Sequence, residues 1–303
     1  MDRGKRRTLA HLTGLAGLAL TGTAAAQEQM HARAIPAGGE ALPVIGIGTW
    51  QSFDVGGDAA ARAPLREVLR LFFAGGGRVV DSSPMYGSSE AVVGELCASL
   101  RICEPLFLAT KVYTSGKQAG VGQMQRSIKR MRASGVDLLQ VHNLLDVETH
   151  TRSLRAWKAA KRVRYIGITH YTASAYPEVE RLLKTKQYDF LQINYSLAES
   201  ESARRLLPLA RDLGVAVIAN RPFAAGAVFR RVRGKPLPPW AEELGVASWA
   251  QYFLKWIVSH PAVTCAIPGT GKPDHLRDNL AAGSGRMPDA AQRARMAQYY
   301  AAL

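Results

Sequence analysis

Four polar side chains that could carry acid–base chemistry stand at the ends of three apolar segments of the chain. Asp81 ends a short apolar run, and Tyr86 lies five residues further on. Lys111 and His142 each end another run, at intervals of 30 and 31 residues. Each interval is about the length of one strand–helix unit. Polar residues at the same place in consecutive units should meet on the rim where parallel α/β folds keep their chemistry.

A tyrosine beside a lysine is a candidate proton donor. A free phenol has a pKa of about 10, and a nearby ammonium favours the phenolate and lowers that pKa. Asp81 would hold Lys111 as its ion-pair partner, and a neutral His142 could orient a carbonyl oxygen. Such a set suits protonation of a ketone or aldehyde oxygen. The hydride would have to come from a nicotinamide cofactor.

Each of the four residues also has a purely structural interpretation. Asp81 and Lys111 could form an ion pair that stabilises a barrel, and Tyr86 could pack against its top. His142 could be a hydrogen-bonded rim residue. The coincidence of the four positions in register favours the catalytic interpretation.

Apolar periodicity predicts eight strands that alternate with eight helices. The strand ends fall near residues 48, 81, 111, 142, 169, 194, 220 and 268. We therefore predict a single-domain α/β protein, a (β/α)₈ TIM barrel over residues 44–285, followed by a C-terminal helix in 286–303. The seventh unit carries an insertion at about 223–245, a candidate lid or a solvated loop. An open doubly wound sheet is the alternative, but Gly46-Ile47-Gly48 lacks the third glycine of its phosphate loop.

The first 26 residues have the composition of an export signal peptide. Basic Lys5-Arg6-Arg7 precedes a mildly apolar stretch, and Ala24-Ala25-Ala26 offers small residues for cleavage. The paired arginines resemble a twin-arginine signal, with an ordinary secretory signal or an uncleaved anchor as alternatives. We expect the export machinery to deliver the protein to the periplasm, with no stable membrane span after signal removal. Residues 27–43 are predicted to be a linker or N-terminal extension.

Charge and cysteine content narrow the range of partners. The net charge is +15, but the basic residues are scattered and not interleaved with aromatic residues. Binding of nucleic acid is therefore not expected, whereas an anionic small ligand fits. Cys97 and Cys103 could form one bridge, although a buried free thiol is the preferred interpretation for each cysteine, Cys265 included. The histidines also lack metal-ligand spacing, so a metal-dependent hydrolase finds little support.

The chain resembles the aldo-keto reductase family over about residues 40–285. The matching motifs are Gly46-Ile47-Gly48-Thr49-Trp50, Asp81-Ser82-Ser83-Pro84-Met85-Tyr86-Gly87-Ser88-Ser89-Glu90, Ala109-Thr110-Lys111, Leu139-Gln140-Val141-His142 and Gln192-Ile193-Asn194-Tyr195. This resemblance implies a (β/α)₈ barrel and NADPH-dependent carbonyl reduction. By position, Tyr86 would be the general acid, and Lys111 would adjust the pKa of Tyr86. Asp81 would be the partner of Lys111, and His142 would orient the substrate.

The same resemblance implies which residues contact the cofactor. Thr49 and Trp50 would lie near the nicotinamide, and Asn279 would hold the adenine. Residues 267–272 resemble a phosphate-binding loop ahead of a helix, where the N-terminal amides favour an anion. The full implied set is Thr49, Trp50, Asp81, Thr169, His170, Gln192, Arg221, Pro268, Gly269, Thr270, Gly271, Lys272, Arg277 and Asn279.

Several positions depart from the family pattern. The family often has an asparagine in place of His170, and an aromatic residue that stacks on the nicotinamide at Asn220 or Arg221. Gly269 and His275 occupy the positions at which a lysine and an arginine commonly bind the 2′-phosphate of NADPH. Lys272 and Arg277 could substitute for them, so NADPH is the expected cofactor and NADH a second option.

A non-catalytic protein is the competing prediction. An exported barrel could bind a nicotinamide cofactor or another small ligand without turnover, because free NADPH is not expected outside the cytoplasm. Twin-arginine export would weaken this objection, since that route carries folded proteins with their cofactors. The enzyme hypothesis predicts a small-molecule carbonyl substrate as the partner.

Overall fold

The strands of the protein close into a parallel barrel. The computed structural model describes residues 29–303. Its strands are β1 Ala32–Ala34, β2 Ala41–Pro43, β3 Ile47–Gly48, β4 Val79–Asp81, β5 Phe107–Val112, β6 Val136–His142, β7 Val163–Thr169, β8 Phe190–Asn194, β9 Ala216–Asn220 and β10 Cys265–Ala266. Strands β3 to β10 pair in chain order. The backbone of Ala266 bonds to Val44 and Gly46 at 2.9 and 2.8 Å and joins the two edges. The predicted (β/α)₈ barrel is confirmed.

A layer of helices surrounds the barrel, with at least one helix after each of the strands β3 to β10. Their ranges are α1 Ala59–Ala74, α2 Ser89–Leu100, α3 Lys117–Arg130, α4 Val147–Ala159, α5 Tyr176–Leu183, α6 Ser202–Asp212, α7 Ala227–Arg231, α8 Trp249–Val258, α9 Pro273–Ala281 and α10 Ala290–Ala302. The insertion after β9 contains α7 and short 3₁₀ turns. Its basic side chains Arg231 and Lys235 donate to carbonyls at the end of α10. Cations suit this place because a helix C-terminus carries partial negative charge.

A hairpin within residues 27–43, the stretch predicted to be a linker or N-terminal extension, covers the amino-terminal end of the barrel. Strands β1 and β2 pair antiparallel. Ile35 and Leu42 from the hairpin are buried in one cluster with Val79, Phe107 and Phe190, which stand near the beginnings of three barrel strands. Without the hairpin, the amino-terminal end of the barrel would expose these apolar side chains to water. The hairpin buries them and so avoids the unfavourable free energy of that exposure.

A disulfide joins the end of α2 to the loop that leads into β5. Cys97 and Cys103 are bonded, so the preferred interpretation of two free thiols was wrong. Between them Arg101 adopts a left-handed conformation with φ of 57°, which ends the helix and turns the chain back. Cys265 remains a buried free thiol, and burial raises its pKa.

The described residues include neither a membrane-spanning helix nor a cluster of metal ligands. Over residues 29–303, no helix is long and apolar enough to cross a membrane. The same residues contain no group of three His, Cys, Asp or Glu side chains placed to hold a metal ion. The predicted signal peptide of residues 1–26 lies outside the described residues.

The contact between α2 and the end of α3 requires a glycine. A Cβ on Gly94 would stand 2.1 Å from the carbonyl oxygen of Arg130 and 2.7 Å from the carbonyl carbon of Met131. Backbone atoms cannot move aside as a flexible side chain can. We therefore expect Gly94→Ala to lower the free energy of unfolding by about 2–3 kcal/mol, measured by urea denaturation.

Gly122 in α3 provides the matched control for this prediction. A Cβ there would meet only the flexible end of Arg126, at 3.3 Å. Alanine should stabilise this helix by about 0.5–1 kcal/mol, because glycine loses more conformational freedom on folding. Equal effects of Gly94→Ala and Gly122→Ala would contradict the proposed clash.

Candidate active site

The barrel register brings the four predicted catalytic residues to one rim. Asp81 ends β4, Lys111 lies near the end of β5, and His142 ends β6. Asp81 pairs with Ala109, and Lys111 pairs with Gln140, so the three strand ends are adjacent. Tyr86 comes from the loop between β4 and α2. Parallel strands share one carboxyl end, which is why residues far apart in sequence meet here.

Asp81 and Lys111 form an ion pair that is closed off from water. Both side chains are almost completely buried, and Lys111 Nζ donates to Asp81 Oδ2 at 2.6 Å. The ammonium also donates to the carbonyl of Ser82 at 2.7 Å. Asp81 Oδ1 accepts from Gln192 at 2.9 Å and from Gln140 at 3.4 Å. Buried charges need such partners, because each would otherwise carry a desolvation cost of several kcal/mol.

Tyr86 stands between the lysine and the histidine. Lys111 Nζ lies 5.0 Å from the centroid of its ring, and the His142 ring meets it edge-on at a centroid distance of 5.9 Å. Burial raises the pKa of Tyr86 above its ordinary value, while the charge of Lys111 acts in the opposite direction. The expectation that Lys111 lowers this pKa was therefore incomplete, because the loss of water around the phenol outweighs the ammonium.

The ammonium itself stays protonated in this site. Burial opposes the charge of Lys111, but the attraction of Asp81 and Tyr86 together raises the pKa of the lysine above its ordinary value. A permanent positive charge beside the phenol stabilises a phenolate whenever the proton leaves.

His142 is held neutral and oriented. Burial, together with the charge of Lys111, lowers the pKa of His142 to about 3. Its Nδ1 lies 3.0 Å from Ser83 Oγ, which accepts a hydrogen bond from the amide of Met85 at 3.2 Å. Over residues 29–303 the Ser83 hydroxyl has no other acceptor, so its proton is available to Nδ1. The arrangement favours the tautomer that carries its proton on Nε2.

The buried neutral histidine should make stability fall in acid. An unfolded histidine binds a proton below its ordinary pKa of about 6.5, whereas folded His142 remains neutral down to about 3. The unfolded state therefore binds more protons in this window, and stability decreases as the pH falls. From pH 7.5 to 4.5 we expect His142 to account for about 2–3 kcal/mol of lost unfolding free energy.

Urea denaturation of His142→Gln at both pH values checks this prediction. The variant should lose less stability than the parent between the two conditions. Part of the acid sensitivity will remain, because burial and nearby arginines also lower the pKa of His260, to about 4. An unchanged difference between pH 7.5 and 4.5 in the variant would contradict the assignment to His142.

A cavity of about 520 Å³ opens above the four residues. Asp81, Tyr86 and His142 line it, while Lys111 lies beneath. Among the residues implied for the cofactor, those that also line it are Thr49, Trp50, Thr169, Gln192, Arg221 and Gly269. The cavity thus unites the predicted acid–base set with about half of the predicted cofactor set.

The other implied cofactor residues lie outside this cavity. Pro268, Thr270, Gly271, Lys272 and Asn279 belong to the loop before α9 or to α9 itself. The imidazole Nδ1 of His170 accepts from the amide of Thr172 at 3.2 Å.

Arg277, named as a substitute for the usual 2′-phosphate ligand, is engaged by a neighbour. Its Nη1 forms an exposed ion pair with Asp274 at 2.6 Å, one helical turn away in α9. The guanidinium would therefore have to share its charge between Asp274 and a phosphate. Exposed pairs of this kind contribute little stability, so the contact can be exchanged.

One unpaired acceptor tests whether a nicotinamide cofactor fits these residues. Asn220 donates to the carbonyl of His170 at 3.1 Å, but its buried Oδ1 has no partner within residues 29–303. A carboxamide N–H could satisfy that acceptor. At the same rim a Cβ on Gly48 would stand 2.9 Å from Ile267 O, and one on Gly269 would stand 3.0 Å from Gly48 O. The two glycines therefore let the end of β3 and the loop after β10 approach each other closely, and the unpaired Oδ1 of Asn220 is the feature that fits the group.

Some residues of the site were missed in the sequence. Gln140 supports Asp81, and Asn143, Met85 and Tyr171 line the cavity. Gln140 could have been found, because it stands two residues before His142 and strand side chains alternate, which places both on one face. Asn143, by contrast, follows the strand, and its direction depends on the loop conformation.

The fold and the site together define a parallel barrel with a buried ion pair, a phenol and a neutral imidazole at its carboxyl-end mouth. A profile of the aldo/keto reductase family matches residues 44–298. The chain belongs to that family. Membership agrees with the geometry, and it identifies an NAD(P)H-dependent carbonyl reductase.

Individual relatives support this result. The chain is 28% identical over 252 residues to a methylglyoxal reductase, YeaE, of Escherichia coli strain K12; the match covers 80% of this chain and 86% of that protein. A crystal structure of an aldo/keto reductase from Klebsiella pneumoniae in complex with NADP and acetate has a TM-score of 0.74, at 25% identity over 86% of this chain and 93% of that one. A Klebsiella pneumoniae structure in complex with NADPH also has a TM-score of 0.74, at 25% identity over 90% and 95%.

Proposed function

We propose that the protein reduces an aldehyde or ketone to an alcohol, with Tyr86 as the general acid. The observation that carries this proposal is the position of the Tyr86 ring, between the buried ammonium of Lys111 and the neutral imidazole of His142 on the wall of one cavity. A nicotinamide cofactor, when bound, supplies the hydride. The carbonyl oxygen receives the C=O electron pair and takes the phenolic proton of Tyr86, which completes the alcohol.

The neighbours of Tyr86 have separate tasks in this proposal. Lys111, held by Asp81, places a positive charge beside the phenolate that remains after proton transfer. Nε2–H of His142 donates to the carbonyl oxygen and aligns it with the phenol. Because the imidazole is neutral over the ordinary pH range, it can act as a hydrogen-bond donor without competing as an acid.

The same geometry supports a set of cofactor contacts within this proposal. Thr169 Oγ1 donates to Gln192 Oε1 at 2.9 Å, so these two polar side chains form a fixed wall. Together with Asn220 they would hold the carboxamide of the nicotinamide. The amides before α9 would face the phosphates, since a helix N-terminus favours anions. NADPH is the proposed cofactor.

A binding titration with turnover measurements tests the proposal. Purified protein should change the fluorescence of added NADPH and then oxidise it when a carbonyl compound is supplied. The similarity to YeaE makes methylglyoxal the first substrate to try. NADPH binding without turnover of any aldehyde or ketone would instead support the non-catalytic binding protein.

We also propose that residues 1–26 direct export to the periplasm. The basic residues followed by an apolar stretch and three alanines support a signal peptide. The disulfide between Cys97 and Cys103 supports it independently, because such bonds persist in oxidising compartments and are rare in the cytosol.

Cell fractionation tests the export proposal. The full chain should appear in the periplasm, and a chain that lacks residues 2–26 should stay in the cytoplasm. Arg6→Lys combined with Arg7→Lys should block export selectively if the twin-arginine route is used. Retention of the unaltered chain in the cytoplasm would overturn the proposal.

A further inference from the structure

The side chain of Asn143 is an unused polar group beside the reacting centre. Asn143 follows His142 directly and lines the same cavity as Tyr86. The residue is partly buried, and over residues 29–303 its side-chain amide has no hydrogen-bond partner. A solvent-accessible amide with no protein partner, on the wall of a cavity, can exchange its water for a ligand.

The backbone alone does not account for an asparagine at this position. Asn143 has a left-handed conformation with φ of 51°, which asparagine tolerates better than most residues. However, the next residue, Leu144, is also left-handed with φ of 58°. Leucine is poorly suited to that region. The left-handed conformation therefore does not by itself require an asparagine in this loop. A role for the side-chain amide of Asn143 would explain why it is there.

The loop also fixes where Asn143 stands. Its amide N–H donates to the carbonyl of Thr169 at 2.9 Å, which ties the loop to the end of β7. The end of β7 and the preceding residue His142 are both parts of the barrel rim. Asn143 is thus held directly after His142 in the chain, on the wall of the cavity that Tyr86 also lines.

We infer that Asn143 recognises a hydroxyl or oxo group on the carbon next to the reacting carbonyl. A carboxamide offers both a donor and an acceptor, so it suits either group, and it carries no charge to favour a carboxylate. The apolar side chains Trp50 and Met85 stand exposed at the same mouth and accommodate the remaining carbon skeleton. The substrate class is that of α-hydroxy and α-oxo carbonyl compounds. This inference rests on the proposed carbonyl reduction.

A pair of ketones that differ in one group tests the inference. Hydroxyacetone carries a hydroxyl where butanone carries a methyl group of similar size. The parent should prefer hydroxyacetone in kcat/KM with NADPH. Asn143→Gly keeps the left-handed backbone and removes the amide, so it should lower kcat/KM for hydroxyacetone by about tenfold and change that for butanone less than about twofold.

Leu144→Gly is the control, because it adds a glycine at the neighbouring left-handed position and removes no polar group. It also removes apolar packing against the core, so the ratio for the two ketones is compared and not the absolute kcat/KM. Its ratio of the two kcat/KM values should equal that of the parent. A ratio unchanged in Asn143→Gly would overturn the role of Asn143 while leaving carbonyl reduction intact. A parent that reduced neither ketone nor any other carbonyl compound would instead overturn both proposals.

Discussion

Tyr86→Phe is expected to lower kcat by about 10²–10⁴-fold, the usual contribution of a positioned general acid. The substitution removes one hydroxyl and leaves the ring, so the edge contact with His142 and the contact with Lys111 remain. Binding of NADPH should be retained, because the phenol is not part of the proposed cofactor contacts. Steady-state kinetics and a fluorescence titration with NADPH measure the two effects separately.

Tyr113→Phe is the control for this experiment. The ring of Tyr113 also meets His142, at a centroid distance of 5.4 Å, but Tyr113 has no place in the proposed proton transfer. Removing the hydroxyl of Tyr113 should change kcat by less than about tenfold, well below the effect expected of a general acid. If Tyr86→Phe retained the parental kcat, the assignment of the proton donor would be wrong.

Lys111→Met is expected to affect both activity and stability. The side chain of Lys111 is fully buried, and its removal would leave the carboxylate of Asp81 without its counter-charge. Breaking a buried pair in this way costs about 3–5 kcal/mol of unfolding free energy. Turnover should fall by at least about 10²-fold, because the phenolate of Tyr86 would lose the adjacent positive charge.

A double variant separates the two effects of Lys111. In Asp81→Asn with Lys111→Met, the unpaired buried charge is gone, and the amide of Asn can still interact with Gln192. Stability should recover by about 2 kcal/mol or more relative to Lys111→Met, since neutral replacements of buried pairs are often tolerated. Activity should stay low, because the ammonium is absent. Full turnover in either variant would contradict the role given to Lys111.

The fold and the chemistry of the site could be predicted because both depend on regular spacing. The intervals between Asp81, Lys111 and His142 match one strand–helix unit, and such units close into a barrel with their strand ends on one rim. Motif residues that precede a helix, such as Thr270 and Lys272, could likewise be placed at the beginning of α9. These inferences need only the order of residues along the chain.

Other features depend on contacts between segments that the sequence does not relate. The hairpin of residues 32–43 covers the barrel floor because Ile35 and Leu42 meet strand residues from across the chain. The conformation of Asn143 depends on a bond to Thr169. None of these contacts has a period or a motif.

The sequence by itself determined which groups meet at the mouth of the barrel: a phenol, an ammonium, a carboxylate and an imidazole. Only the tertiary structure decided the pKa values of these groups. Burial raises the pKa of Tyr86 despite Lys111 and lowers that of His142 to about 3. The physical reason is that a pKa depends on how much water surrounds a group, and that amount is set by packing from many segments at once.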